Sequence, residues 1–357
     1  MIPSYAHGFN ANGVLTFRGR GGAMKFLSSN RSRLVALLGL ALVAMMAALP
    51  AGAAPRRANG MLTFARYNPA IDDTQAYIIN PDGLGERFVQ GPMDHGEGPV
   101  WFPDGIHIAT GGASDLPGGG SRIINVDNGT WRDVDGQDPN LFNPCGIPSP
   151  DGTLLLCETF TNDATGSQNG IHTIRSSDGG GFTQVTSNPG GDDVPGSWSP
   201  NGKRIVFQRF DPNFDPEGVF VVNVNGTGLH RILPPTVSAN CCTFNWSPQG
   251  NEIAFSRHVT PDVHSSLWVM HSDGTDLHPL SVPASLGCGG TNDDPTAIGC
   301  LEPAWSPDGT RIAFAGGLDL DTDGEIYTMN LDGTGFTQVT HTGGSQSPNW
   351  GTHPPTG

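Results

Sequence analysis

From Met61 onward, short apolar runs alternate with turn residues, and no stretch shows helical periodicity of useful length. One family of runs reads "LTFA" (62–65), "IHIAT" (106–110), "TLLLC" (153–157), "RIVF" (204–207), "EIAF" (252–255) and "RIAF" (311–314). A second reads "AYII", "RIINV", "IHTI", "VFVV", "LWVM" and "IYTM", each running into an Asn- or Asp-Gly turn that tolerates the positive φ of tight hairpins. A third strand follows, clearest in the two copies of "FTQVT" at 182–186 and 336–340. In "RIAF", Ile312 and Phe314 fall on one face and Ala313 on the other, so both faces are apolar and the strand is expected to be covered on both sides.

The runs recur in register with an aromatic anchor. Trp101, Pro148, Trp198, Trp246, Trp305 and Trp350 occupy equivalent places in "WFPDG", "PSPDG", "WSPNG", "WSPQG", "WSPDG" and "WGTHP". A period of roughly 45–60 residues containing four short strands predicts propeller blades. The repeat begins on a first strand at Met61 and ends on a Trp-type strand at Trp350, so its order is permuted. The fold expected is therefore all-β: a six-bladed β-propeller closed by pairing of the N- and C-terminal strands in one blade, which leaves no open edge. The expected boundaries are a propeller over 61–351, a short linker over 54–60 and a tail over 352–357.

Ahead of the repeat, Lys25, Arg31 and Arg33 precede an uncharged apolar stretch over 34–49 and the small residues Ala51-Gly52-Ala53. This layout predicts a secretory signal peptide over 24–53, with 1–23 an upstream extension and Met24 the expected initiator. A secreted or periplasmic location follows, without stable membrane insertion after cleavage. All six cysteines lie beyond the signal, as befits an oxidising compartment. Cys145 and Cys157 flank a hairpin, and Cys288 and Cys300 bracket the insertion that lengthens one period. The adjacent Cys241 and Cys242 are candidates for a vicinal pair or for bridges to 288 and 300.

Charge narrows the partners. Of the 18 Lys and Arg, five lie in 1–53, which leaves 13 against 34 Asp and Glu. Such a surface repels nucleic acid and anionic membranes and suits cations or basic partners. In a four-stranded meander the Pro-Asp-Gly and Asn-Asp-Gly turns share one face, and the longer, variable loops share the other. Asp94, Glu97, Asp192, Asp193, Asp293, Asp294 and Glu302 precede the Trp-type strands and are expected to ring one mouth of the central channel as partner-binding residues. "DLDTDGEI" places Asp319, Asp321 and Asp323 in alternation before Gly324, the front half of an EF-hand-type calcium loop, with Asn330 at the usual twelfth position. Asp211, Asn213, Asp215 and Glu217 in "DPNFDPEG" form a weaker candidate. His258, His264 and His271 come closest to a histidine set, but their spacing spans a loop and a strand. No G-x-S-x-G elbow, H-E-x-x-H or phosphate loop is present, and nothing points to an organic cofactor.

"WSPDGTRIAF", followed by "IYTMNLDG" and "FTQVT", resembles the WD40-like repeat of the TolB-type propellers over about residues 60–350. That resemblance implies an extracytoplasmic propeller that binds proteins. The family's namesake is a periplasmic partner of a peptidoglycan-associated lipoprotein and carries an α/β domain ahead of its propeller, where this chain has only a few residues after the expected cleavage site. The sequence thus supports a monomeric, non-enzymatic propeller that grips a protein or peptide on its acidic long-loop face, with calcium as a candidate structural ion. The alternative is a carbohydrate-active or hydrolytic enzyme whose mouth carboxylates act as acid and base.

Overall fold

The computed structural model describes residues 57–89, 98–111, 120–134, 141–142, 144–161, 165–237, 239, 244–258, 264–286, 288–289, 299–317 and 322–356. The expected upstream extension and signal peptide lie outside them, as do Asp94, Glu97, Cys241, Cys242, Asp293, Asp294, Asp319 and Asp321.

Six antiparallel sheets account for the described strands. Blade 1 contains β1 (Leu62–Asn68), β2 (Asp73–Ile79) and β3 (Arg87–Phe88). Blade 2 contains β4 (Val100–Trp101), β5 (His107–Gly111), β6 (Ser121–Asn125) and β7 (Trp131–Val134). In blade 3, β8 (Leu141–Phe142) adds a short fifth strand to β9 (Cys145–Pro148), β10 (Leu154–Thr161), β11 (Gly170–Arg175) and β12 (Thr183–Gln184). Blade 4 contains β13 (Asp192–Trp198), β14 (Arg204–Phe210), β15 (Pro216–Asn223) and β16 (His230–Leu233). Blade 5 contains β17 (Asn245–Trp246), β18 (Glu252–Arg257), β19 (Ser266–His271) and β20 (His278–Pro279). Blade 6 contains β21 (Gly299–Trp305), β22 (Arg311–Gly317), β23 (Glu325–Asn330) and β24 (Thr337–Gln338). The last strand, β25 (Ser345–Trp350), returns to blade 1. A single 3-10 turn over Ala284–Leu286 is the one helical element among the described residues.

The ring closes as the permuted repeat requires. Strand β25 pairs antiparallel with β1, setting Leu62 opposite Trp350. The Met61 N–H donates to the His353 carbonyl at 2.8 Å, and the Trp350 indole donates to the Gly60 carbonyl at 2.9 Å. Residues beyond the strand are tied down too. Asn80 and Thr356 exchange two hydrogen bonds at 2.8 and 3.1 Å, and the His353 imidazole meets Asp127 at 3.0 Å.

The hydrophobic core is divided into six clusters, one between each neighbouring pair of blades. This is why the strands are apolar on both faces. Ile312 and Phe314 pack toward blade 5, whereas Ala313 and Ala315 pack toward Leu62, Phe64 and Trp350 of blade 1. Small residues opposite large ones let the wedge-shaped gaps fill without voids. The anchor Trp side chains lie in these gaps. Arg204 lies 4.8 Å from the ring of Trp246 in the next blade, and Arg311 lies 5.6 Å from Trp350, so the Arg of "RIVF" and "RIAF" braces a neighbour.

Cys145 and Cys157 face each other across β9 and β10 and form a disulfide, with Cα atoms 4.0 Å apart. A second disulfide joins Cys288 to Cys300, Cα atoms 5.5 Å apart, across the insertion of the longest period.

Candidate functional site

In every blade the Trp-type strand is the innermost, and these strands line the ring's centre. Their starts open onto the long-loop face, and their ends run into the Pro-Asp-Gly turns of the opposite face. The short-turn face is uniform. Gly105, Gly152, Gly202, Gly250 and Gly309 all hold positive φ at equivalent turns, a conformation in which a Cβ is strained. The preceding Ser hydroxyl or Asp carboxylate caps each turn, as Ser306 and Asp308 do for Thr310. A hollow of about 470 Å³ lies on this face over Phe102, Pro103, Asp104 and Pro150–Gly152, and none of the candidate residues lines it.

The long-loop face is irregular, and its carboxylates at Asp192, Asp193 and Glu302 are used internally. Asp192 and Asp193, expected in a loop, stand in strand β13 because the blade's pairing begins earlier than its apolar run. Asp193 is fully buried. It takes two bonds from the Arg209 guanidinium, both at 2.6 Å, one from the Thr186 hydroxyl at 2.5 Å and one from the Asn188 amide at 3.1 Å. Asp192 is 6 % exposed and hydrogen-bonds Glu158 on β10 of blade 3. Two carboxyl groups can share a hydrogen bond only if one keeps its proton. Burial pushes Asp192 up to about 6; the Glu158 hydrogen bond pulls against this and the Asp193 charge adds to it.

Glu302 also stands in a strand, at a bulge in β21 where its φ is 53°. Its carboxylate accepts from the Ser347 N–H at 2.6 Å and the Ser347 hydroxyl at 3.1 Å, which links the inner strands of blades 6 and 1. Burial raises its pKa, and the two Ser347 bonds oppose that rise. The structure thus brings Asp192 and Asp193 together with Glu158, and places Glu302 on another side of the ring. Glu158 was missed in the sequence because it directly follows the apolar run of β10, where alternation alone marks it as one more outward position.

The calcium candidates divide. Asp323 is exposed, at the end of its loop. Asn330 ends β23, where its amide donates to the Thr334 hydroxyl in the turn of the opposite face. In the weaker candidate, Asp211 is turned into its own loop. Its carboxylate accepts from the N–H groups of Asn213 and Asp215 at 2.7 and 3.0 Å, which lowers its pKa. Asp215 and Glu217 face solvent, and Phe214 stands exposed at the tip with φ 61°. Among the described residues no three His, Cys, Asp or Glu side chains cluster as metal ligands. The His258 ring meets the Ser265 hydroxyl at 3.2 Å, whereas His271 lies at the far end of β19.

Comparison with solved structures follows from this architecture. The chain is similar to TolB from Acinetobacter baumannii, at 19% identity and a TM-score of 0.61 over 91% of this chain and 74% of that one. A putative TolB from Agrobacterium tumefaciens matches at 18% identity and a TM-score of 0.55, over 81% of this chain and 92% of that one. The fold is a TolB-like propeller. Hydrazine synthase from Kuenenia stuttgartiensis also matches, at 12% identity and a TM-score of 0.60 over 84% of this chain and 48% of that one. Such distant likenesses carry fold alone, since one propeller serves unrelated activities. No protein-family model and no curated protein matches the sequence.

One further set of residues in the TolB-like propeller escaped the sequence reading. The polar residue just before an anchor Trp reaches the next blade. Asn349 accepts from the Trp101 N–H at 3.0 Å, Ser197 from the Trp246 N–H at 2.9 Å and Asn245 from the Trp305 N–H at 3.2 Å. The signal, a polar residue before Trp in three repeats, is present in the sequence, but its target lies 49 or 60 positions away in two cases and 248 in the third.

Proposed function

We propose that this chain is an extracytoplasmic, non-enzymatic propeller that binds a protein or peptide on its long-loop face. The observation that carries the reading is the contrast between the two faces. Repeated Pro-Asp-Gly turns and the bonded residues 352–356 brace the short-turn face. The opposite face differs from blade to blade and presents exposed apolar tips at Ile71 and Phe214. Variable loops on a rigid scaffold are the usual seat of recognition. The likeness to TolB supports the same reading, and the two disulfides suit an oxidising compartment. Within it, calcium at Asp319, Asp321 and Asp323 is a structural ion of one loop, and a partner with basic segments suits the acidic composition.

Photo-crosslinking tests this directly. A benzoylphenylalanine placed at 71 or 214 is expected to capture one discrete protein in the native envelope, and the same probe at Leu84, Trp131 or Leu229 on the other face is not. Equal capture from both faces overturns the reading.

One observation favours a second reading, an enzyme of hydrolytic or carbohydrate-active type. Asp192 shares a hydrogen bond with Glu158, and burial pushes it up to about 6, the direction in which a general acid is tuned. Turnover of a glycan or ester panel that disappears in both Asp192→Asn and Glu158→Gln would establish it.

A further inference from the structure

Three blades repeat one arrangement at the long-loop end of the first strand. Two positions after Phe64, Phe207 and Phe255 stand Arg66, Arg209 and Arg257. Each guanidinium lies over an aromatic ring of the second strand: Tyr77 at 4.6 Å, Phe220 at 5.4 Å and Trp268 at 4.6 Å. In two blades a carboxylate completes the stack. Arg66 donates twice to Glu86, at 2.6 and 2.9 Å, and Arg209 donates twice to Asp193. These are forked, charge-assisted pairs whose geometry the flat guanidinium favours.

Blade 5 keeps the arginine and the ring, and among the described residues no carboxylate completes the stack. The residue across the strand from Arg209 is Asp193, and across from Arg66 it is Ser345; across from Arg257 it is Ala239. Counted from the anchor Trp, the position of Asp193 is taken by Cys241. Counted along the Asn-Asp-Gly turn, the position of Glu86 is taken by Leu277. Among the described residues Arg257 makes one hydrogen bond, from Nε to the His258 carbonyl at 3.5 Å, and no ion pair. Burial lowers its pKa, whereas the paired Arg66 and Arg209 are raised. A half-buried cation without a counter-ion is unfavourable in the free protein, and an incoming anion relieves it.

We propose that the Arg257–Trp268 stack is a carboxylate-binding site, in which an Asp, Glu or C-terminal carboxylate of a bound protein takes the place that Asp193 takes on Arg209. Trp268 holds the guanidinium plane by stacking, and its indole N–H is itself fixed on Ser266 at 2.9 Å. This deepens the reading of the long-loop face as the partner surface and rests on it for the source of the carboxylate; the site's own chemistry is tested without any partner. On the rim, Asp192, Asp193 and Glu302 are engaged internally, whereas Arg257 has no carboxylate partner among the described residues.

The test is a side-chain NMR titration of the whole propeller, following the Arg257 Nε–H and the Trp268 indole N–H. The probes are N-acetyl-aspartate amide for a side-chain carboxylate, N-acetyl-glycylglycine for a C-terminal one, N-acetyl-asparagine amide as the neutral twin, and inorganic phosphate. A saturable shift of both signals is expected with at least one carboxylate probe, at least tenfold tighter than with the asparagine twin. It is expected to vanish in Arg257→Gln and to weaken severalfold in Arg257→Lys, while the Arg66 and Arg209 signals stay still. No shift, an equal shift with the neutral twin, tighter binding of phosphate, or an undiminished shift in Arg257→Gln each overturns the proposal. Should Arg257→Gln fail to fold, the wild-type comparison between the aspartate and asparagine probes decides alone. Carboxylate binding without crosslinks from 71 or 214 would leave this site standing and remove the partner reading.

Discussion

Phe214 combines solvent exposure with backbone strain in a single residue. It is 68 % exposed and held at φ 61°, a region that a bulky L-residue rarely enters. Asp211 imposes that geometry by accepting from two N–H groups of the loop. Nothing buried compensates for the strain, so Phe214→Gly is expected to raise unfolding stability by about 0.5–1 kcal/mol. Urea denaturation checks this, and the same variant should lose crosslinking efficiency from neighbouring positions if Phe214 is a contact residue. The acids of the mouth show the converse. Their chemical type could be read from the sequence, but their role depends on Arg209, Glu158 and Ser347, which lie 16, 34 and 45 positions away in chain order. A carboxylate in a string of letters looks available; a carboxylate facing a guanidinium does not.

At the scale of the element, β11 and β13 carry titrating groups of opposite sign. His172 on β11 is 1 % exposed and stacks on Phe182 with ring centroids 4.3 Å apart. Burial pushes its pKa from 6.5 down to about 4, against a weaker hydrogen bond with Gly170. Between those values the unfolded chain holds a proton that the folded one lacks, so this histidine makes stability rise with pH from about 4 to 6.5. Asp192 on β13 works the other way. Its folded value near 6 exceeds the ordinary 3.8, so the folded state holds the extra proton and stability falls as pH rises through that window. His172→Phe is therefore expected to shrink the stability gain between about pH 4.5 and about pH 7, and Asp192→Asn to enlarge it. Urea midpoints of the three proteins at both pH values check the signs. The strands themselves were legible from period and turn chemistry. Their starts were not, because the pairing of β13 and β21 continues through bulges into polar residues, where no apolar alternation marks it.

Closure is a property of the whole molecule. Trp350 fills the gap between blades 6 and 1, takes Arg311 over its ring and donates its indole N–H to Gly60. Trp350→Ala therefore removes packing at the one joint where the chain ends meet, and it is expected to cost about 3–5 kcal/mol. Trp131→Ala, at a residue 53 % exposed, is expected to stay within about 0.5 kcal/mol of wild type. Chemical denaturation of both variants, followed by tryptophan fluorescence and far-ultraviolet dichroism, checks the difference. The same closure separates a braced face from a variable one.

The sequence by itself determined the repeat, the six blades, the permuted closure and the sorting of loops onto two faces. All of these follow from local turn chemistry and a strand period that each segment carries within itself. Only the tertiary structure decided which of the described carboxylates of the rim are spent on internal partners. Those outcomes depend on contacts between blades: Asp193 meets Thr186 of blade 3, Glu302 meets Ser347 of blade 1, and Asp192 meets Glu158. Electrostatic partnership depends on distance in space, and a chain folded into a ring brings together residues that its order keeps apart.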